Sequence, residues 1–433
     1  MTNNYDDAGP STSMDTTRDA ARERDDADPL TDFRERFDVA DDYYVDGNSL
    51  GPLSEDAERA LDRVVEEWRT LGIRGWTDGD PPWFGFGEHL GDRLAPLVGA
   101  REDEVVAANS TTVNIHTLVG TLLNGLEEPL VLVDELNFPT DTYAVRAQLR
   151  NRGFDPDDHT VVVESRDGRT IDEADIEAAI TDDVDLVFLP SVLYRSGQLL
   201  DLERVTEAAH ARDAYVGFDL AHSVGVVPHD LHDLGVDFAV WCSYKYLNAG
   251  PGAIAGLYVH ERHHDRTPAL AGWWGHEKDT QFEMRETYTP AHTAGAWQIG
   301  TVPMLAAAPL DGSLDIVHEA GIDTIREKSL ALTDYLIELV DERLGDDFSV
   351  GTPLDPERRG GHVAVEHPEA YRITEAMKER GVVGDFRPPN VFRVCPAPLY
   401  MGFEDVYDVV EELRVVAETE AYLEIPEPSG GVT

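Results

Sequence analysis

The stretch DFAVWCSYKYLNAGPGAIAG, residues 237–256, decides how this chain reads. From Phe238 to Cys242 every side chain is apolar, the pattern of a strand covered on both faces of its sheet. Gly250, Pro251 and Gly252 then supply turn chemistry. Lys245 stands between the two, directly after the strand and flanked by aromatic and small residues. A lysine in that setting is partly desolvated, which favours the neutral amine that condenses with a carbonyl. A buried lysine paired with a carboxylate has the same appearance in a sequence.

Working outward, six more apolar runs have the same character: EVVAA (104–108), PLVLVDE (129–135), HTVVVES (159–165), DLVFLPS (185–191), AYVGFDL (214–220) and AIAGLYV (253–259). The segments between most of them are long enough for crossover helices. That alternation predicts an α/β fold with a mostly parallel seven-stranded sheet covered on both faces. After about residue 306 come long helical patterns, then GHVAVEH (361–367) and FRVCPAP (392–398), which read as strands of a smaller α+β domain. Upstream, DGNSLGP (46–52) reads as a tight connection. The residues after it, 54–70, read as a helix capped by Ser54, with Ala57, Leu61, Val64, Val65 and Trp68 on one face.

The chain has 433 residues, 42% of them hydrophobic, and 35 Lys+Arg stand against 85 Asp+Glu for a net charge of −50. Such a balance excludes nucleic acid and anionic membranes as generic partners, since both demand clustered positive charge. Only Lys245, Lys278, Lys328 and Lys378 are lysines, so 31 of the basic residues are arginine. An acidic surface almost without lysine reads as adaptation to a cytoplasm of high salt, where screening shortens the reach of self-repulsion. Lys278, Lys328 and Lys378 lie among charges and read as solvated surface residues. The first 28 residues are polar and acidic, which predicts a disordered tail. Two cysteines, Cys242 and Cys395, make no disulfide framework, and with no signal-peptide pattern and no long apolar run the expected location is the cytoplasm.

Nucleotide motifs are missing: there is no G-x-x-x-x-G-K-[ST], and GPGAIAG (250–256) spaces its glycines wrongly for a dinucleotide site. HDLH (229–232) and HERHH (260–264) have spacings a metal could use, but their charged contexts read as surface histidines, and no metal is expected. Asp219 ends the strand AYVGFD, and in an open parallel sheet ligands bind at the carboxyl ends of strands. An aspartate there can pair with a protonated pyridine nitrogen. Ser110, Thr111 and Thr112 open a helix, where hydroxyls and backbone N–H groups form a phosphate site without a lysine.

CSYKYLNAGPG, FDLAHSVG, GWWGH, NFPTD, DGNSLGP and FRVCPAPLY together resemble the kynureninase family, over about residues 43–415. The resemblance implies the pyridoxal 5'-phosphate (PLP) fold type I. It divides the chain into a tail (1–30), an N-terminal segment joining the small domain (31–60), a large PLP-binding domain (61–305) and a small C-terminal domain (306–433). It also implies hydrolysis of kynurenine, or its 3-hydroxy form, to anthranilate (or 3-hydroxyanthranilate) and alanine, as in tryptophan degradation. Residue by residue, Lys245 matches the Schiff-base lysine, and Tyr244 a tyrosine on the cofactor phosphate with a part in proton delivery. Asp219 matches the pyridinium partner and His222 a neighbouring cofactor-site histidine. Thr111, Thr112, Phe138, Pro139, Thr140, Asp141 and Trp273 match cofactor-binding positions, and Pro190 or Ser191 falls near another. Arg393 matches the arginine that holds the substrate carboxylate, while Asn48 and Ser49 lie on a segment that reaches the substrate, in a homodimer whose sites are shared. Gly300 and Thr301 stand where animal members carry Ser-Asn, which gives this chain a bacterial look.

Two other functions fit the same architecture. A cysteine desulfurase or selenocysteine lyase needs a nucleophilic cysteine on a mobile loop, which neither Cys242 nor Cys395 offers. A regulator that keeps the cofactor only as a structural ligand has no need of Lys245, Asp219, Tyr244 and Arg393 together.

Overall fold

All seven apolar runs form strands of one sheet. In the computed structural model, which describes residues 14–39 and 43–426, they are β1 Val105–Ala107, β2 Val131–Asp134, β3 Thr160–Val163, β4 Leu186–Pro190, β5 Tyr215–Asp219, β6 Phe238–Trp241 and β7 Gly256–Val259. Their order is β1-β7-β6-β5-β4-β2-β3. The pairs β6–β5, β5–β4, β4–β2 and β2–β3 are parallel, and β7 alone runs antiparallel to both its neighbours. Parallel strands bring their carboxyl ends to one edge, so Asp134, Pro190, Asp219 and Trp241 end side by side and the loops that follow share one crevice.

A smaller sheet contains β8 Ser349–Val350, β9 Val363–Glu366, β10 Asp385–Arg387 and β11 Val391–Val394, in the antiparallel order β8-β9-β11-β10. The N-terminal segment is stitched to this region: Tyr43–Tyr44 pair in parallel with Val382–Val383, and Cys395 N donates to Val45 O at 2.9 Å. The connection predicted at 46–52 is present, with Ser49 N and Leu50 N both donating to Asp46 O.

The helices that matter here are α1 Arg18–Ala27, α2 Glu55–Leu71, α3 Thr111–Leu122, α4 Pro139–Asn151, α5 Met304–Ala320, α6 Ile322–Arg343 and α7 Phe403–Thr419. Ser54 caps α2 by accepting from Ala57 N at 3.2 Å. Ala57 and Val64 are buried against α5, but Trp68 is 61% exposed, because the predicted apolar face extends past the end of its cover. Among the described residues no helix is long and apolar enough to cross a membrane.

The expectation of a disordered tail over residues 1–30 does not hold for Arg18–Ala27; residues 1–13 lie outside the described residues. Helix α1 is docked chiefly by polar contacts, which a search for apolar side chains overlooks. The Asp25 carboxylate accepts from Phe403 N at 2.6 Å and Glu404 N at 2.9 Å, closing the start of α7 as a cap supplied from elsewhere in the chain. Arg18 and Arg22 pair with Glu404, and the Arg24 guanidinium lies over the Tyr335 ring at 4.8 Å. Lys328 belongs to the same patch. It is 8% exposed and bonded to Asp28 at 2.6 Å, not solvated as its charged surroundings predicted. Lys278 is likewise half-buried, 4.5 Å from the Trp274 ring centre and 4.9 Å from that of Phe84.

Candidate active site

Asp219 closes β5 with its carboxylate turned into the crevice, where Ala221 N donates to Oδ1 at 2.7 Å. Ser191, at the end of the neighbouring strand, holds the Asp219 backbone: its N and Oγ both donate to Asp219 O, at 2.9 and 3.2 Å. One strand further along, the chain leaves β6 and folds back on itself, with Asn248 N on Lys245 O and Ala249 N on Ser243 O. Asn248 takes φ 53°, a conformation asparagine tolerates better than most residues. From this turn Lys245 Nζ reaches His222 Nε2 at 2.9 Å. Among the described residues no carboxylate lies within ion-pair distance of Nζ, so Lys245 is not a carboxylate-paired lysine. His222 is held neutral: burial pushes its pKa well below the usual imidazole range, and the charge of Lys245 pushes it further. A neutral imidazole offers its Nε2 lone pair to the amine.

Asp141, in the first turn of α4, is fully buried close to Asp219. Burial raises both carboxyl groups. The charge of Asp219 raises Asp141 still more, whereas the charge of Lys245 draws Asp219 back toward ionisation. Asp141 is thus raised further than Asp219, whose ionised form the charge of Lys245 favours. Helix α3 points its N-terminus at the same crevice. Its first helical bond is Asn114 N to Ser110 O, so the N–H groups of Thr111, Thr112 and Val113 are left for a ligand or water. The Thr112 and Thr140 hydroxyls lie 3.4 Å apart, bringing the starts of α3 and α4 together. Pro139 opens α4, and Phe138 before it is half-exposed and edge-on to Tyr194.

The far wall comes from the small sheet. Arg393 on β11 is 1% exposed. Its Nε donates to Asp385 Oδ1 at 2.7 Å, Nη1 to Tyr194 O at 2.7 Å and Nη2 to Ser49 Oγ at 2.7 Å. Ser49 thus reaches the arginine, while Asn48 beside it is buried with no partner for either amide atom. Gly51 seats this segment on the lysine turn. Its N–H donates to Tyr244 O at 2.7 Å, and a Cβ there would stand 2.6 Å from Lys245 O, so only glycine fits without movement. The Tyr244 hydroxyl is shielded, and burial beside the Cys242 thiol pushes its pKa up.

Residues 325–413 match the family model described as the kynureninase C-terminal domain. The chain is 50% identical over 415 residues to a kynureninase of Geobacillus thermodenitrificans, covering 95% of this chain and 97% of that one. It is 49% identical over 410 residues to a kynureninase of Bacillus mycoides, covering 94% and 96%. The chain belongs to the kynureninase family. In fold it is similar to the apo cysteine desulfurase of Thermococcus onnurineus, at a TM-score of 0.76 and 17% identity over 90% of this chain and 98% of that one. It is similar also to a cystine C–S lyase in complex with cysteine persulfide, at a TM-score of 0.75 and 17% identity over 87% and 98%.

Not every residue singled out from the family's pattern converges on Lys245. Trp273 is 45% exposed, donates Nε1 to Gln281 O and packs edge-on against Trp274 and Phe282. Thr301 is exposed at the rim of an apolar hollow lined by Trp68, Trp76, Trp83 and Met304. Ser191 acts on the Asp219 backbone instead of opening into the crevice. Conversely, Asp385, Tyr194 and Asp46 belong to the site and were not singled out. Burial and then the charge of Asp385 push the Asp46 carboxyl up to about 6.

The histidine motifs are not surface features. His263 and His264 are buried; His263 and His210 bond Asp237, and His232 bonds Glu104. The ligand-type atoms of Glu104, His232 and His260 lie within 4.8 Å of one another. Glu104 already accepts from Arg101 N, Glu261 N and His232, and Arg262 N donates to His260 Nδ1, so the group forms a hydrogen-bonded polar network around the buried Glu104.

Proposed function

We propose that this crevice carries pyridoxal 5'-phosphate on Lys245 and hydrolyses the Cβ–Cγ bond of kynurenine to anthranilate and alanine. The observation that carries the reading is Lys245 Nζ facing a neutral histidine at 2.9 Å, with Asp219 nearby and, among the described residues, no carboxylate within ion-pair distance. The residues suit the group: Asp219 to hold a pyridine N–H, the open N–H groups and hydroxyls at the starts of α3 and α4 to hold its phosphate, and Phe138 to lie against its ring. When bound, the cofactor supplies an electron sink for the substrate Cα.

The chain's own groups do the rest. Arg393 orients the substrate carboxylate, and its planar fork, already fixed by Asp385, suits that task. Lys245 takes the proton from Cα as general base, and the neutral His222, 2.9 Å from Nζ, positions the amine through its Nε2 lone pair. Tyr244, too weakly acidic to ionise near neutrality, serves as a proton donor. The large domain, residues 61–305, binds the cofactor, and the N-terminal segment 31–60 joins the small C-terminal domain 306–433, in a cytoplasmic enzyme. We assign the apolar hollow of about 480 Å³ around Trp68, Trp76 and Met304, with the exposed Trp273 and Phe282, to the interface of a homodimer. That would bring Trp273 and Thr301 to the neighbouring site.

A desulfurase-type reaction is disfavoured by both cysteines. Cys242 and Cys395 are buried, and burial pushes both thiols up, Cys395 to about 12, away from the thiolate such chemistry requires. Incubating the purified, cofactor-loaded protein with L-kynurenine tests the reading. Anthranilate fluorescence and alanine should appear in equal amounts, and a loaded, folded protein that releases neither would refute it.

A further inference from the structure

The small sheet has two unlike faces. Val363, Val365, Phe392 and Val394 form its core side. On the other side, Ala364 of β9 and Asp385 of β10 both lie opposite Arg393 of β11. Side chains alternate along a strand, so His362, two residues before Ala364, projects from the same face as Arg393. It is completely buried, neither of its ring nitrogens makes a hydrogen bond of normal geometry, and the Tyr194 backbone stands beside it.

The surroundings of this imidazole are those of the site. Its ring centre lies 5.6 Å from that of His222, whose Nε2 faces Lys245 Nζ. Gly197, at φ 75°, presses on it from the Tyr194 loop: a Cβ at Gly197 would stand 2.6 Å from His362 O and 3.3 Å from Nε2. Burial, and next the charge of Arg393, hold its pKa down to about 3, so the ring is neutral and carries one N–H donor and one lone pair. A buried polar group left without a well-formed hydrogen bond is costly to keep, and a native fold that keeps one beside an arginine and a lysine has a use for it.

We propose that His362 is a substrate-contacting residue, donating a hydrogen bond to the α-carboxylate that Arg393 holds, so that the amino-acid end of the substrate is gripped by Arg393 on β11 and by the residue that leads into the adjacent β9. The inference rests on the site binding an amino acid as set out above, and it adds the residue that completes the grip.

The test uses the loaded enzyme and a binding readout as well as turnover. His362→Phe keeps the volume and removes both nitrogens; His362→Gln restores a donor and an acceptor. Spectral titration with L-alanine should give a Kd raised about tenfold or more in His362→Phe, the loss expected for a hydrogen bond to a charged group. The KM for kynurenine should rise in step with little change in kcat, and His362→Gln should recover most of both. Ethylamine, which lacks the carboxylate, should bind the wild type and His362→Phe alike. An unchanged Kd for L-alanine, or an equal loss for ethylamine, would overturn the inference. If the phenylalanine variant does not fold, His362→Leu gives the same comparison with a smaller apolar side chain. A wild-type enzyme that binds L-alanine yet leaves kynurenine intact would count against the activity alone, because the alanine comparison still reads on His362.

Discussion

Arg393 and Asp385 face each other across adjacent strands of the small sheet, with Nε 2.7 Å from Oδ1 and a second bond from Nη2 to Oδ2. The arginine thus enters the crevice already oriented, and Ser49 and the Tyr194 carbonyl steady its remaining edge. Preorganisation of this kind spares a binding group the entropy of finding its geometry.

Arg393→Lys should therefore fold, keep its positive charge beside Asp385, and still bind substrate poorly, because an ammonium cannot hold the planar geometry that Asp385, Ser49 and the Tyr194 carbonyl fix for the guanidinium. An increase in KM for kynurenine of about tenfold to a hundredfold is expected, the equivalent of ~1.5 to 3 kcal/mol. Steady-state kinetics with the cofactor spectrum as a control would check it. Unaltered kinetics would remove Arg393 from substrate binding.

Asp46 makes a prediction about pH. Its folded pKa, about 6, lies above the ~3.9 of an unfolded aspartate, so the folded state holds the proton more tightly. The stability this contributes is fully present below the unfolded value and is lost as pH rises through the folded one. Asp46→Asn should accordingly gain in thermal midpoint over the wild type as pH goes from about 4 to 6, with the gain level above that. Melting curves across the range would show it, and a gain that shrinks as pH rises would contradict the sign.

Helix α1 predicts a stability effect at long range. Asp25→Ala removes the cap on α7 and should cost about 1 kcal/mol. It should also release α1, so that limited proteolysis cuts near residue 28 well before it does in the wild type. Equal protection of both proteins would show that α1 is held by its arginines alone.

What was legible in the sequence follows from how locally each feature is encoded. The strands could be read because parallel strands covered on both faces are continuous apolar runs, and Lys245 and Asp219 could be read because they follow such runs directly. The Arg393–Asp385 pair depends on which residues meet across β10 and β11, a register that no single segment states. His362 is one residue outside its strand and makes no well-formed hydrogen bond to betray it. Helix α1 had no apolar stripe to announce it, since Arg18 and Asp25 find their partners at Glu404 and Phe403, far along the chain. Lys328 and the histidine pairs looked solvated because their neighbours in sequence are charged, whereas in the fold those same charges are turned inward as partners.

The net charge of −50 gives a prediction about salt. Self-repulsion reaches ~10 Å at 0.1 M salt and ~3 Å at 1 M, so thermal midpoint and activity should rise together as KCl or NaCl is raised over that range. Comparing the two chlorides at equal ionic strength separates screening from binding of a particular cation. Full activity and an equal midpoint at 0.1 M would make the acidic surface a matter of solubility only.

Of the four lysines, we propose Lys245 as the one that carries the cofactor. Borohydride reduction of the loaded protein followed by peptide mapping tests this directly. A single pyridoxyl-modified peptide containing Lys245 is expected, and none from Lys245→Ala, which should still fold. A pyridoxyl group on Lys278, Lys328 or Lys378, or a modified peptide that persists in Lys245→Ala, would contradict it.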